Sequence, residues 1–265
     1  MVFRKERVWQ QNMARKLTKE ELTNHKNNAL KKLDAYLTKL IDSSDKKVNA
    51  KSDKLSYWLE DWTTFLDFES HFSPSSLKRY KRGEIIKVHL GYNIGSEEGG
   101  LHYAVIVEKD NSIHNPVITI VPLTSIKHDK DLAHLRKGEV LLGNELFLKF
   151  STKFNETFYS TKEEHQRLKG KIQQFKDNEH PLYSQVYEIE KKQKIINNQL
   201  DLLEKMRFEI SKMKNGSIAL TNQITTISKI RIYDPKTTKD MFSGITLSDE
   251  GLTKIDEEII RRYTK

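Results

Sequence analysis

Residues 82–125 constrain the fold more than any other part of this 265-residue chain. They read RGEIIKVHLGYNIGSEEGGLHYAVIVEKDNSIHNPVITIVPLTS and hold three short apolar, β-branched runs, at 85–90, 103–108 and 117–123. A glycine-rich loop at 91–100 joins the first two runs, and an Asn/Ser/Pro turn joins the second and third. Runs of this length, composition and punctuation predict an antiparallel meander. Its polar residues of chemical interest, Ser96, Glu97, Glu98, His102 and Thr124, fall where strands meet loops.

The rest of the chain reads differently. Hydrophobic residues make up 36% and charged residues 31%, a pairing that fits a modest core carrying long solvated helices. The predicted first helix starts at Thr18, with Glu20 and Glu21 in its first turn. Its stripe is Leu30, Leu33, Leu37 and Leu40/Ile41. A second is expected over about 50–70, with Trp58 and Trp62 on one face as core residues. Past the meander, 127–138 reads as a charged loop, 139–142 as a short strand and 144–149 as irregular or strand. From Phe154 the apolar residues recur at three- and four-residue steps to Phe175, and after 177–181 they resume from Leu182 to Ile210. A heptad-like seam on both sides of a Pro-containing turn predicts an antiparallel coiled-coil hairpin. Its second helix, 182–213, is expected to be about 48 Å long at 1.5 Å per residue, and so to protrude. Residues 217–226 and 227–233 return to strand-like alternation. Ser248 then caps a last helix with Leu252, Ile255, Ile259 and Ile260 on its apolar side.

Several chemistries are excluded or unsupported. With no cysteine there is no disulfide, thiolate nucleophile or thiolate metal site. The nine histidines are scattered without an HExxH pattern, so neither metal nor cofactor is expected. The N-terminus lacks the apolar core of a secretory signal, and no apolar run approaches the ~20 residues that span a bilayer, so a cytoplasmic chain away from membranes is expected. The net charge of +9 is concentrated at the front: residues 1–82 hold 18 Lys and Arg against 11 Asp and Glu. Such a surface attracts nucleic acid without reading its sequence.

In order along the chain, several segments resemble the MazF/PemK family of toxin endoribonucleases. The resemblance rests on Lys81-Arg82-Gly83-Glu84, on Gly95-Ser96-Glu97-Glu98-Gly99-Gly100, on the apolar strand at 103–107, and on Asn115-Pro116 and Val121-Pro122-Leu123-Thr124-Ser125. It continues in Ser217-Ile218-Ala219-Leu220-Thr221-Asn222-Gln223-Ile224 and in Leu247-Ser248-Asp249-Glu250. It implies an α+β fold built on an SH3-like β-barrel, drawn from 81–153 and 215–265. Residues 1–80 would be an N-terminal helical arm and 154–214 an inserted hairpin.

The resemblance further implies metal-independent cleavage of single-stranded RNA, inhibition by an antitoxin protein, and a homodimer. The family's catalytic threonine corresponds to Thr124. Its arginine position holds His102, and the proline after it is Tyr103. His102 is thus the expected general acid or base, with Thr124 and Ser96 donating to the phosphate and Glu97 or Glu98 accepting a proton. Lys87 or Arg82 would supply positive charge, and Lys81, Arg79 and Gln223 would contact nucleic acid. The alternative reading is a catalytically silent module of the same fold that binds nucleic acid or protein.

Overall fold

The computed structural model describes residues 16–127, 131–176, 183–214 and 216–265. Its contacts divide the chain at Thr63/Thr64 into two compact units. In the first, α1 (Lys19–Ile41) opens with a full capping box: the Thr18 hydroxyl accepts the Glu21 N–H, and the Glu21 carboxylate accepts the Thr18 N–H. It is followed by α2 (Lys46–Glu69), which runs on into the second unit. The Asn49 amide donates to the Ile41 carbonyl and Leu40 is buried, closing the turn between the helices. Of the two tryptophans expected in a core, Trp58 is half-buried whereas Trp62 is 46% exposed.

The second unit is organised by the meander. Strands β1 (Ile85–His89), β2 (Leu101–Ile106) and β3 (Val117–Ser125) pair antiparallel in sequence order. After β3 come β4 (Glu139–Gly143), β5 (Ser217–Leu220), β6 (Thr225–Ser228) and β7 (Ile232–Asp234). The sheet order is β4-β5-β3-β2-β1-β7, with β6 on the N-terminal half of β3. The hydrogen-bonded sheet is not closed. β6 and β7 are consecutive and joined by a 3-10 turn, Lys229–Arg231, while pairing to opposite ends of the β3-β2-β1 set.

Strand alternation explains why both faces are apolar. Ile85, Val105, Val121 and Leu123 point to one face, and Ile86, Val88, Ala104, Ile106, Ile118 and Ile120 to the other. The second face packs on Ile227, Ile232 and Tyr80, within the curve of the sheet. The first is covered by helices α3 (Glu145–Lys176), α4 (Tyr183–Lys212) and α5 (Asp249–Tyr263), through Leu146, Phe150, Met206 and Ile255, and by Phe242. Phe150 and Phe242 stack at 4.6 Å. Each such buried side chain contributes roughly 1.5–3 kcal/mol of apolar transfer.

Three sequence expectations need correction. Residues 145–149 are helical, because Leu146, Phe150 and Phe154 form one i, i+4 stripe on the sheet and α3 starts one residue after β4. The segment 217–233 is three short strands rather than two. It breaks at Thr221–Gln223, where the Thr221 N–H and hydroxyl both donate to the Gly138 carbonyl. In α5, Ile255 is buried but Ile260 is 59% exposed. The predicted hairpin turn, 177–181, lies outside the described residues, whereas α3 and α4 pack on each other with Leu168 and Ile196 buried. Among the described residues no helix is long and apolar enough to cross a membrane.

The base of the hairpin is tied to the sheet by a buried polar contact. Glu209 of α4 accepts from both the Lys87 ammonium and the Tyr103 hydroxyl. Burial and this carboxylate together push the Tyr103 hydroxyl well above the ordinary tyrosine range, so it stays a proton donor.

Candidate active site

The loop between β1 and β2 is a closed structure. The Leu90 N–H donates to the Gly100 carbonyl at 2.7 Å and the Gly100 N–H to the Gly91 carbonyl at 2.6 Å, so the neck is a two-bond clasp. Gly91 and Gly100 adopt φ of 90° and 81°, a region that favours glycine. At Gly99 a Cβ would stand 2.8 Å from the Gly91 oxygen, so the clasp admits no side chain there.

Gln223 holds the outer part of the loop. Its carbonyl oxygen accepts the Glu98 N–H at 3.0 Å and its amide donates to the Ser96 carbonyl at 2.8 Å. Glutamine, with one acceptor and two donors on one planar group, can grip two backbone positions of opposite polarity at once.

That grip places Glu98 beside His102. The Glu98 carboxylate lies 3.4 Å from His102 Nε2, and His102 Nδ1 lies 3.2 Å from the Leu123 carbonyl. A carbonyl can only accept, so Nδ1 carries the proton and Nε2 is the nitrogen presented to Glu98. Residue 103 pairs with 123 across β2 and β3, and one further step in that register sets His102 opposite Thr124. Strand alternation then gives His102 and Thr124 the same sheet face, with Ile218 pairing Thr124 from its other side.

Thr124 and Glu98 line a cleft of about 450 Å³ with Ser125, Ile218 and Leu220. Its remaining wall comes from Lys127, Asp131, His134 and Arg136, between β3 and β4, and from Glu139 at the start of β4. His134 Nδ1 contacts the Asp131 carboxylate at 2.7 Å, and this contact together with the Ala133 N–H holds the Asp131 carboxyl below its ordinary range.

The other predicted residues are placed as follows. The Ser96 and Glu97 side chains are exposed on the loop, and Glu97 accepts the Ile94 N–H at 3.3 Å. Arg82 donates to the Val107 carbonyl and pairs with Asp256 of α5. Lys87 is spent on Glu209. Lys81 and Arg79 are exposed and do not line the cleft. Gln223 is committed to the loop backbone. The structure thus gathers Glu98, His102 and Thr124, and leaves the positive charge of the cleft to Lys127 and Arg136, in the stretch expected to be a charged loop. Among the described residues no group of three His, Asp or Glu is disposed to hold a metal ion.

The α+β unit thus brings a histidine, a carboxylate and a threonine to one edge of its meander. The family model described as PemK-like, MazF-like toxin of type II toxin-antitoxin system matches residues 81–152. The matched stretch comprises the four strands β1 to β4 and the first turns of α3, and it is this part of the chain that is similar to that family of toxins. The helices before it and the chain after it lie outside the match. No curated protein matches the chain.

Proposed function

We propose that the chain is a toxin-type endoribonuclease that cleaves single-stranded RNA through the 2′-hydroxyl without a metal ion. The observation that carries this reading is the His102 ring, set between the Leu123 carbonyl and the Glu98 carboxylate and in register with Thr124. Nε2 takes the proton from the 2′-hydroxyl, whose oxygen attacks phosphorus. The 5′-oxygen leaves and takes a proton from solvent water, giving a 2′,3′-cyclic phosphate and a 5′-hydroxyl, and the imidazolium returns its proton to solvent. Once Nε2 is protonated, its N–H donates to the Glu98 carboxylate 3.4 Å away, which stabilises the imidazolium. The Thr124 hydroxyl donates to a non-bridging phosphate oxygen. Ser96 and Glu97, at the loop tip, would meet the flanking nucleotides.

The barrel reading is supported by the curl of the sheet, where β6 and β7 return to opposite sides of the meander through one 3-10 turn. In this reading 81–153 and 215–265 are the catalytic module, 1–80 an added arm and 154–214 an inserted hairpin. An antitoxin protein and a second copy of the chain are its partners, in the cytoplasm. A silent binding module would have no use for a glutamine-latched carboxylate held against a histidine.

The test is cleavage of an unstructured RNA oligonucleotide by the full chain and by His102→Ala. A loss of at least a hundredfold is expected, and undiminished cleavage removes His102 from the mechanism.

A further inference from the structure

We propose that Lys127 and Arg136 bind the RNA phosphate in the cleft they share with Thr124 and Glu98; this rests on the endoribonuclease reading above. Attack on phosphorus adds negative charge to an already anionic group, and a His102–Glu98 pair brings at most one compensating proton. The two cations nearest in sequence to the meander's start are consumed elsewhere, Arg82 by Asp256 and Lys87 by Glu209.

Lys127 and Arg136 differ from them. Both line the cleft, and among the described residues neither side chain makes a hydrogen bond or an ion pair. The carboxylates of the same wall are engaged. Asp131 takes His134 at 2.7 Å and the Ala133 N–H at 2.9 Å, and Glu139 accepts the Arg136 backbone N–H at 2.9 Å.

Their position is fixed by the ladder. Lys127 follows Thr124 by three residues at the exit of β3. Arg136 precedes β4 by three, and β4 is brought alongside through β5, whose Ile218 pairs both Thr124 and Leu141. A planar guanidinium with five donors and a point-charge ammonium beside a threonine hydroxyl form a set suited to a phosphodiester.

The test uses the full chain carrying His102→Ala, so that a single-stranded RNA oligonucleotide is bound without being cut, and reads affinity against salt. Each phosphate contact contributes about 0.7 to the slope of log K against log salt on a single strand. Lys127→Ala and Arg136→Ala should each lower the slope by about that amount and weaken binding roughly tenfold at 0.1 M salt, while Arg136→Lys keeps the slope. Lys191→Ala, on exposed α4, is the control and should change neither. In the chain with His102 intact, Arg136→Ala should slow cleavage about a hundredfold, as loss of a charge-stabilising donor does. If the unaltered chain cleaves RNA and both alanine variants keep its slope and rate, this inference falls and the endoribonuclease reading stands. If the unaltered chain neither binds nor cleaves RNA, that reading falls and takes the inference with it.

Discussion

Glu209→Ala should unfold the sheet unit more readily than any surface change on the hairpin. The side chains of Lys87 and Glu209 are 14% and 7% exposed, and Tyr103 also donates to Glu209. Removing the carboxylate leaves an ammonium and a hydroxyl without their acceptor in a site that water barely reaches. Breaking a buried pair from one side costs about 3–5 kcal/mol, and the orphaned hydroxyl falls partly within that figure, so a loss of about 4 kcal/mol is expected. At 2–4 °C per kcal/mol for a unit of this size, the melting temperature should fall by about 10 °C. Lys87→Met with Glu209→Leu removes both charges and should recover most of the loss, and the cycle closed by the single variants Lys87→Met and Glu209→Leu should show a coupling of about 3 kcal/mol or more.

Tryptophan fluorescence is the wrong probe, since none of the three tryptophans lies within 64–265. Amide hydrogen exchange at β1 and β2 under increasing urea reads the sheet unit. A Glu209→Ala loss below about 1 kcal/mol, or strict additivity of the two single variants, would refute the claim that this contact anchors the hairpin.

Two further outcomes follow from single residues. Gln223→Ala should lower RNA cleavage about tenfold in a kinetic assay while shifting the unfolding midpoint by no more than about 1 kcal/mol, because it frees the loop that sets Glu98 without opening the core; unchanged cleavage would deny the latch. Burial pushes the Asp234 carboxyl up to about 6, against the relief given by the Phe242 N–H at 2.8 Å. A raised acid contributes its full stability below its ordinary value and loses it as pH rises to about 6. Asp234→Asn should therefore gain about 1–2 kcal/mol over the unaltered chain at pH 8, after allowance for its partial exposure, and nothing at pH 4; a gain that does not grow with pH in urea titrations would contradict this.

The meander was legible in the sequence because both of its faces are buried, so runs such as Ile120 to Leu123 are apolar without a break, and the strands are bounded by glycine or Asn-Pro punctuation. The hairpin was legible for the same kind of reason, a seam repeated over many turns. Its true start was not. In 145–150 the residues Leu146, Leu148 and Phe150 alternate like a strand, and only the packing of Leu146 and Phe150 on Phe242 and the sheet, with Leu148 57% exposed, shows the helical period. His102 and Thr124 could be named from their neighbours in sequence. Choosing Glu98 over Glu97 could not, because it depends on Gln223, 125 residues further on. Lys127 and Arg136 were equally hidden. Their place beside Thr124 depends on β4 meeting β5 across the whole length of the hairpin, a pairing no local pattern announces. Lys87 misled for the converse reason: an ionic partner in a distant helix turns a strand cation that looks exposed into a buried one.

The most direct test of the central claim is the chemistry of the cut ends. Single-stranded RNA is incubated with the full chain in excess EDTA, beside the same oligonucleotide with 2′-deoxy sugars throughout. Transesterification through the 2′-hydroxyl predicts products ending in 2′,3′-cyclic phosphate and 5′-hydroxyl, and an intact deoxy strand. Products with 3′-hydroxyl and 5′-phosphate ends, or cutting of the deoxy strand, would contradict the account.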